Sequence, residues 1–319
     1  MKSHNTHRVS VPLGETHGRG VSVETPYSGG MGIQPRVTEA GPRDVALHAS
    51  FCDYVSHVFT RADFRRWTAW GEWDDGYRAF MVVEGGRVVA NASVTRMRLL
   101  LDGREVSGFQ LGAVGCLPSG RGRGLARTVM DAALAYCGEA PVLLFANPSV
   151  RAFYPRFGFQ ARGQTLFAAS HVAKPAGPAA PLLDVSLAEV RAGLARLADA
   201  GVPVTERFGA RGHSRIASWY AANGFARPLR QLRDDAWVFA EVEGETLYVD
   251  DIFAREPFDL SAELPRLIDR PITSIQFGFT PERWWPGAEP VGEEADADLF
   301  VRGGGWPEGF ERFPVMART

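Results

Sequence analysis

The chain has 319 residues, 45% of them hydrophobic and 23% charged, with a formal net charge of -2; this suits a globular protein with apolar material for two cores. The near-neutral balance disfavours a polyanionic partner such as nucleic acid. No apolar run approaches the ~18 residues of a membrane helix and no apolar signal core opens the chain. Three cysteines, Cys52, Cys116 and Cys137, form no disulfide framework and point to a reducing cytoplasm.

In chain order, residues 1–32 are polar, rich in glycine and serine and without periodicity, so they read as a disordered arm. His4, His7 and His17 within it match no metal-site spacing. An edge strand is expected near 33–37, then a helix over 42–59 with Val45, Leu47, Phe51, Tyr54, Val55 and Val58 on its apolar face. The run WTAWGEWDDGY sets Trp67, Trp70 and Trp73 among Glu72, Asp74 and Asp75. Tryptophan faces beside carboxylates suit a cationic ligand, while Trp67 and Trp70, three apart, equally suit a helix packed on the core. Strands over 77–83 and 88–98 flank a Glu84-Gly85-Gly86 turn, and Asp102-Gly103 marks a second tight turn.

Residues 109–117 are apolar and uncharged, 118–123 form a turn of glycine and arginine, and Leu125, Val129, Ala132 and Ala133 recur at helical spacing. A strand therefore feeds a helix whose first turn is glycine-rich. Free amides there, with roughly +0.5 charge from the helix dipole, make an anion site. Gly122 and Gly124 permit close approach and Arg121 and Arg123 add charge, so a pyrophosphate is the natural ligand. A Walker loop would need lysine and serine or threonine where Leu125 and Ala126 stand, and a dinucleotide fingerprint would need glycine in place of Arg127. A second strand, 142–146, leads into a helix carrying Tyr154, followed by Gly158 and Phe159, and a further strand to about 167.

The segment 171–182, with KPAGPAA inside it, has linker composition. Helices over 187–198 and 214–223 follow, then a strand from Trp237, a Glu243-Gly244 turn, a strand over 246–253, a helix over 260–268, and strands over 273–279 and 298–302. This order echoes the first half: FMVVEGGRVVANASV is mirrored by WVFAEVEGETLYVDDIF, and VLLFANPS by SIQFGFTP. Where RGRGLA stands in the first copy, the second has REPFDL. Glu256, Pro257 and Asp259 there oppose phosphate binding, so the second copy is expected to hold no cofactor.

Arg121, Gly124 and Ala126 fill a pattern, Arg/Gln-x-x-Gly-x-Gly/Ala, that resembles the acetyl-coenzyme A loop of the GNAT superfamily N-acetyltransferases. The strand 142–146 with Tyr154 resembles the second GNAT signature. With FYPRFGF, VDDIFA, FGFTP, DLFVR and FPVM, the chain over 33–319 is similar to bacterial tandem-GNAT acetyltransferases related to the enhanced-intracellular-survival group. The resemblance implies an α/β (α+β) tandem GNAT fold: a mixed, mostly antiparallel sheet, helices on both faces, and a degenerate second module. It assigns 33–170 to the catalytic domain, 171–182 to a linker, and 183–319 to a degenerate domain whose C-terminal tail reaches the active site.

By the same resemblance, the main chain of Val114 and Cys116 holds pantetheine, and Arg121, Gly122, Arg123, Gly124, Leu125 and Ala126 hold the pyrophosphate. Cys116 as a nucleophile is disfavoured, because transfer in the family is direct and no base adjoins it. Attack needs a neutral amine, and deprotonating one of pKa near 10.4 at pH 7 costs about 4–5 kcal/mol. The strand 109–117 has no Asp, Glu or His to help. In the related proteins a C-terminal carboxylate enters the site, so Thr319 is the expected base, with Glu72, Asp74 and Asp75 in reserve; the plainer reading is a tail docked on the surface. Tyr154 would hydrogen-bond the departing thiolate, and Asn147 and Ser149 would orient the thioester or pantetheine, unless Ser149 only caps the next helix. The expected activity is acetyl transfer from acetyl-coenzyme A, without metal, to a primary amine of a small cationic molecule or peptide. No nucleic-acid or membrane partner is expected, and a homo-oligomer is left open. Two other classes remain: an aminoacyl-tRNA-dependent ligase of the Fem type, also a tandem GNAT fold, and a non-catalytic acyl-coenzyme A-binding module.

Overall fold

The computed structural model describes residues 35–294, 298–309 and 311–319. The expected N-terminal arm and its three histidines lie outside the described residues. The elements are β1 (Val37–Ala40), α1 (Val45–Val58), α2 (Arg65–Ala69), β2 (Tyr77–Glu84), β3 (Arg87–Leu101), β4 (Arg104–Cys116), α3 (Leu125–Cys137), β5 (Val142–Ala146), β6 (Gln160–Arg162), β7 (Thr165–Ala173) and β8 (Leu182–Leu183). There follow α4 (Ala188–Ala200), β9 (Phe208–Arg211), α5 (Ser214–Ala222), β10 (Leu229–Arg233), β11 (Ala236–Glu243), β12 (Thr246–Ala254), α6 (Leu260–Leu267), β13 (Ile272–Phe277), β14 (Glu289–Glu293) and β15 (Asp298–Arg302).

These build an α/β fold of two mostly antiparallel sheets. The first runs β1-β2-β3-β4-β5-β15-β6, with β9 also on β3; the second runs β14-β7-β13-β12-β11-β10-β8. Each has one parallel pair, β4 with β5 and β12 with β13. One core packs α3 on the first sheet through Leu125, Val129, Met130 and Ala133. A second packs α6 on the second sheet through Leu260, Leu264 and Leu267. The largest lies between the sheets and joins both halves: Phe51 and Tyr54 of α1, Leu194 of α4 and Ile216 of α5 meet Phe239 and Phe253 there.

The sheets exchange strands. A strand after Phe159 was expected to close the first module and 298–302 the second, yet β7 pairs with β13 and β14, and β15 inserts between β5 and β6. Burial explains the insertion. Leu299 and Val301 enter the central core while Phe300 enters the core under α3, and a strand buried on both faces needs ladder partners on both edges. The expected helix carrying Tyr154 is instead two short 3-10 turns, 148–150 and Tyr154–Phe157. Pro148 and Pro155 open those turns, and a proline within a continuous helix would remove a hydrogen bond and clash with the preceding turn.

Candidate active site

Strands β4 and β5 pair only over Phe109↔Val142, Gln110↔Leu143 and Leu111↔Leu144. Beyond Leu111 they part, so residues 112–116 present half-buried main chain to a widening gap. At the far end of β4, Gly122 and Gly124 both have φ +76, a left-handed conformation natural to glycine, and open space where a Cβ would stand. Gly124 is the N-cap of α3, whose first intrahelical bond is Thr128 N to Gly124 O at 3.1 Å. The amides of Leu125, Ala126 and Arg127 therefore have no intrahelical acceptor. Of the two loop arginines, Arg123 is paired with exposed Glu84 at 2.5 Å, while the Arg121 side chain makes no hydrogen bond or ion pair among the described residues. Cys116 is half-buried, and burial raises its thiol pKa despite Arg121 and Arg123.

Tyr154 is 4% exposed among Phe153, Phe159 and Phe300. Burial raises its pKa well beyond the usual phenol range, so the hydroxyl stays a donor. The Tyr54 hydroxyl of α1 donates to Ala113 O at 3.4 Å and would lie 2.8 Å from a Cβ on Gly115, so it abuts the end of β4 that lines the gap. Asn147, not Ser149, is the cap at the end of β5: its side chain accepts from Ser149 N at 2.9 Å, and Ser149 is exposed.

The C-terminal segment threads both sheets. Val315 N donates to Gly278 O at 2.9 Å, and Gly278 N to Val249 O at 2.8 Å, just past the last paired residues of β12 and β13. A Cβ on Gly278 would lie 2.7 Å from Val315 Cγ2. Further on, Gln110 of β4 grips the tail at two points: its Nε2 donates to Ala317 O at 2.8 Å and its Oε1 accepts from Thr319 N at 2.7 Å. Thr319 Oγ1 donates to Leu111 O at 3.3 Å, and a Cβ on Gly112 would lie 2.9 Å from that hydroxyl. The carboxylate of Thr319, at the point where β4 and β5 diverge, has no hydrogen bond or ion pair among the described residues.

A buried charge cluster anchors this segment. Arg318 donates to Glu294 at 2.8 Å, to Phe313 O at 2.9 Å and to Gln164 Oε1 at 3.2 Å, and lies 4.7 Å over the ring of Phe145. Gln164 Oε1 also accepts from Phe313 N at 3.0 Å, and Arg312 shares Glu294 at 3.2 Å. Burial would raise the Glu294 pKa, but Arg318 and Arg312 outweigh it and hold the carboxyl below its ordinary value. Burial pushes Arg312 down to about 10, so it remains charged at neutral pH.

The tryptophans do not line a ligand cleft. Trp67 and Trp73 are each 4% exposed in the central core; Trp67 Nε1 donates to Arg215 O at 2.9 Å, and Trp73 stacks on His48 at 4.1 Å. Trp70 is half-buried with the guanidinium groups of Arg66 and Arg191 over its ring, at 5.0 and 4.6 Å. The neighbouring carboxylates are committed as well: Glu72 to Arg191 and Arg215, Asp74 to Arg215, and Asp75 to Arg78. The expected cationic subsite is thus an aromatic and ionic seam between the halves, and its arginines already fill the cation's place. In the second half, the start of α6 is capped by Asp259, which accepts from Ser261 N at 2.9 Å. Among the described residues no group of three or more His, Cys, Asp or Glu could hold a metal, and no helix is long and apolar enough to cross a membrane.

Residues 44–162 match the family model described as an acetyltransferase (GNAT) domain. This part of the chain is a GNAT domain, and the class is that of the acyltransferases. Two solved structures share the fold over more of the chain. Eis1 from Mycobacterium abscessus is 16% identical, covers 83% of this chain and 73% of its own, and gives a TM-score of 0.52. A GCN5-related N-acetyltransferase from Anabaena variabilis ATCC 29413 is 13% identical, with 84% and 72% covered and a TM-score of 0.50. No curated protein matches the chain.

Proposed function

We propose that the protein transfers the acetyl group of acetyl-coenzyme A directly to a primary amine of a small cationic molecule or a peptide, and that its second half is a degenerate GNAT repeat. The observation that carries this reading is the gap between β4 and β5, which opens at Leu111 and ends at the Gly122–Gly124 loop, with Tyr154 in the turns that follow β5. When bound, acetyl-coenzyme A supplies an activated thioester. Residues 121–126 suit its pyrophosphate, and the main chain of Val114 and Cys116 suits its pantetheine. The carboxylate of Thr319, without an arginine partner among the described residues, is the proposed base, because Glu72, Asp74 and Asp75 are each held in ion pairs. Tyr154 donates a hydrogen bond to the leaving sulfur and keeps its own proton, since burial makes its ionisation harder than that of a free phenol.

Such a route places the acceptor amine where Thr319 meets Gly112, and leaves the second half to guide the tail. Calorimetric titration with acetyl-coenzyme A tests the donor site. One molecule bound per chain, lost in a Gly124→Leu variant, supports the reading; no binding by the wild type would overturn it. Replacing Thr319 by an amidated terminus, with binding retained and turnover unchanged, would remove the carboxylate from the mechanism.

A further inference from the structure

The hairpin that joins β3 to β4 turns at Asp102 and Gly103, at the opposite end of β4 from the acyl-donor gap. There it borders an open cleft of about 540 Å3, whose other lining residues are Glu206, Arg207, Glu282 and Arg283 of the second half. Main-chain bonds tie the two sides together: Asp102 N donates to Arg207 O and Gly103 N to Glu206 O, both at 2.8 Å. Charge around the cleft does not balance. Arg207 is shared by Glu311 at 2.8 Å and Asp102 at 3.9 Å, and Arg283 pairs with Glu206. Glu282 has no cationic partner among the described residues. Its Oε1 accepts from the Thr205 hydroxyl at 2.8 Å and from Glu206 N at 2.9 Å, while its Oε2 is closed off from solvent without a hydrogen-bond partner. Four carboxylates, Asp102, Glu206, Glu282 and Glu311, therefore meet two guanidinium groups, and two negative charges stay uncompensated. A carboxylate oxygen kept from water without a partner is costly, and a cation in the cleft offsets that cost.

The excess charge is spread along the cleft. Among the described residues no three His, Cys, Asp or Glu side chains converge as a metal site requires, and a single hard cation needs convergent oxygens. Ammonium groups spaced along a flexible chain can each meet one carboxylate instead. The Asp102 and Glu206 side chains, 59% and 52% exposed, are open to such a ligand. We infer that this cleft is a binding site for a linear polyamine, with its ammonium groups against Asp102, Glu206 and Glu282. The inference is independent of the acetyl-transfer reading and of the acceptor position at Thr319. Occupancy clamps the hairpin tip to residues 206–207 and, through the Arg207–Glu311 pair, reaches the start of the C-terminal segment.

The test titrates spermidine calorimetrically into the full chain, at low salt and without acetyl-coenzyme A, and follows hydrogen exchange at the Asp102 and Gly103 amides. Asp102→Asn and Glu282→Gln remove charge and keep the local structure: asparagine tolerates the left-handed φ of +47 at position 102, and glutamine retains an Oε1 acceptor for Thr205 and Glu206. Expected are saturable binding, weakened about threefold by each substitution and about tenfold by both, and slower exchange at both amides when spermidine is bound. Glu139→Gln combined with Glu189→Gln, two exposed carboxylates elsewhere, changes the net charge equally and should leave affinity within about twofold. Should a cleft variant fail to fold, the exchange of the wild-type amides decides. No binding, binding that the cleft variants leave unchanged, equal weakening by the control pair, or Mg2+ binding more tightly than spermidine would each overturn the inference. A wild type that binds spermidine in this way but no acetyl-coenzyme A would keep it and remove the donor reading alone.

Discussion

Replacing Gln110 by leucine isolates the link between the tail and β4. The substitution keeps the buried volume and removes both contacts to the tail, Nε2 to Ala317 O at 2.8 Å and Thr319 N to Oε1 at 2.7 Å. It leaves a carbonyl and an amide without partners at a buried site, which costs about 1–2 kcal/mol each, or ~2–4 kcal/mol together. With each 1.4 kcal/mol worth a factor of ten, local opening of the last residues should become about 30- to 1000-fold more frequent. Hydrogen exchange reads this residue by residue. The Thr319 amide should lose most of its protection, while the Val315 amide, bonded to Gly278 and held upstream by Arg312 and Glu294, should change far less. Turnover should fall in step with Thr319 opening, and acetyl-coenzyme A affinity should not. Unchanged exchange at 317–319 would refute the grip assigned to Gln110; an equal loss over the whole protein would make Gln110 a residue of the fold alone.

Gly124→Leu forces a side chain into a φ +76 site at the mouth of the loop, at ~1–2 kcal/mol of backbone strain; affinity for acetyl-coenzyme A should drop at least tenfold, with a small shift in Tm. Tyr154→Phe should lower kcat and spare binding. Because burial raises the Tyr154 pKa above its unfolded value, its contribution to stability is complete below the unfolded value near 10 and is lost only at more alkaline pH; the wild-type pH–rate profile should show no Tyr154 limb below pH ~10. Glu294→Leu strands Arg312 and Arg318 without their carboxylate and should cost about 3–5 kcal/mol in denaturant unfolding. Since the folded pKa of Glu294 is depressed, its contribution is present above the ordinary value near 4.3 and disappears as pH falls below it. Exchange at 313–319 should therefore rise on acidification below about pH 4.

What was legible in the sequence followed local rules. Glycine turns, a 3.6-residue apolar stripe and alternating strands located α1, α3, α6 and the central strands, and the Gly122–Gly124 turn fell where two left-handed glycines precede α3. Long-range burial was not legible. Leu299, Phe300 and Val301 read as an ordinary strand, and only their placement between β5 and β6 shows why all three are apolar. Trp67 and Trp73 beside acidic residues suited a cation site on composition, but a tryptophan stripe serves a core equally well, and the arginines that neutralise Glu72 and Asp74 lie more than a hundred residues away in α4 and α5. Gln110, Gln164 and Glu294 were missed. The signal for Gln110 was available, as the one long polar side chain in the apolar run 109–117; Glu294 gives none, because its partners are fixed only once the tail has docked.

The insertion of β15 also sets a schedule for biosynthesis. Val142–Ala146 and Gln160–Arg162 both await the same five residues, which leave the ribosome some 150 residues after β5, roughly 8–30 s later at ~5–20 residues per second. For that interval β5 keeps an open edge on its side away from β4, and β6 keeps one along the side that β15 fills; edges of that kind invite pairing with other chains. A nascent chain halted before residue 298 should bind chaperones, because β5 and β6 stay unpaired along the edges that β15 fills.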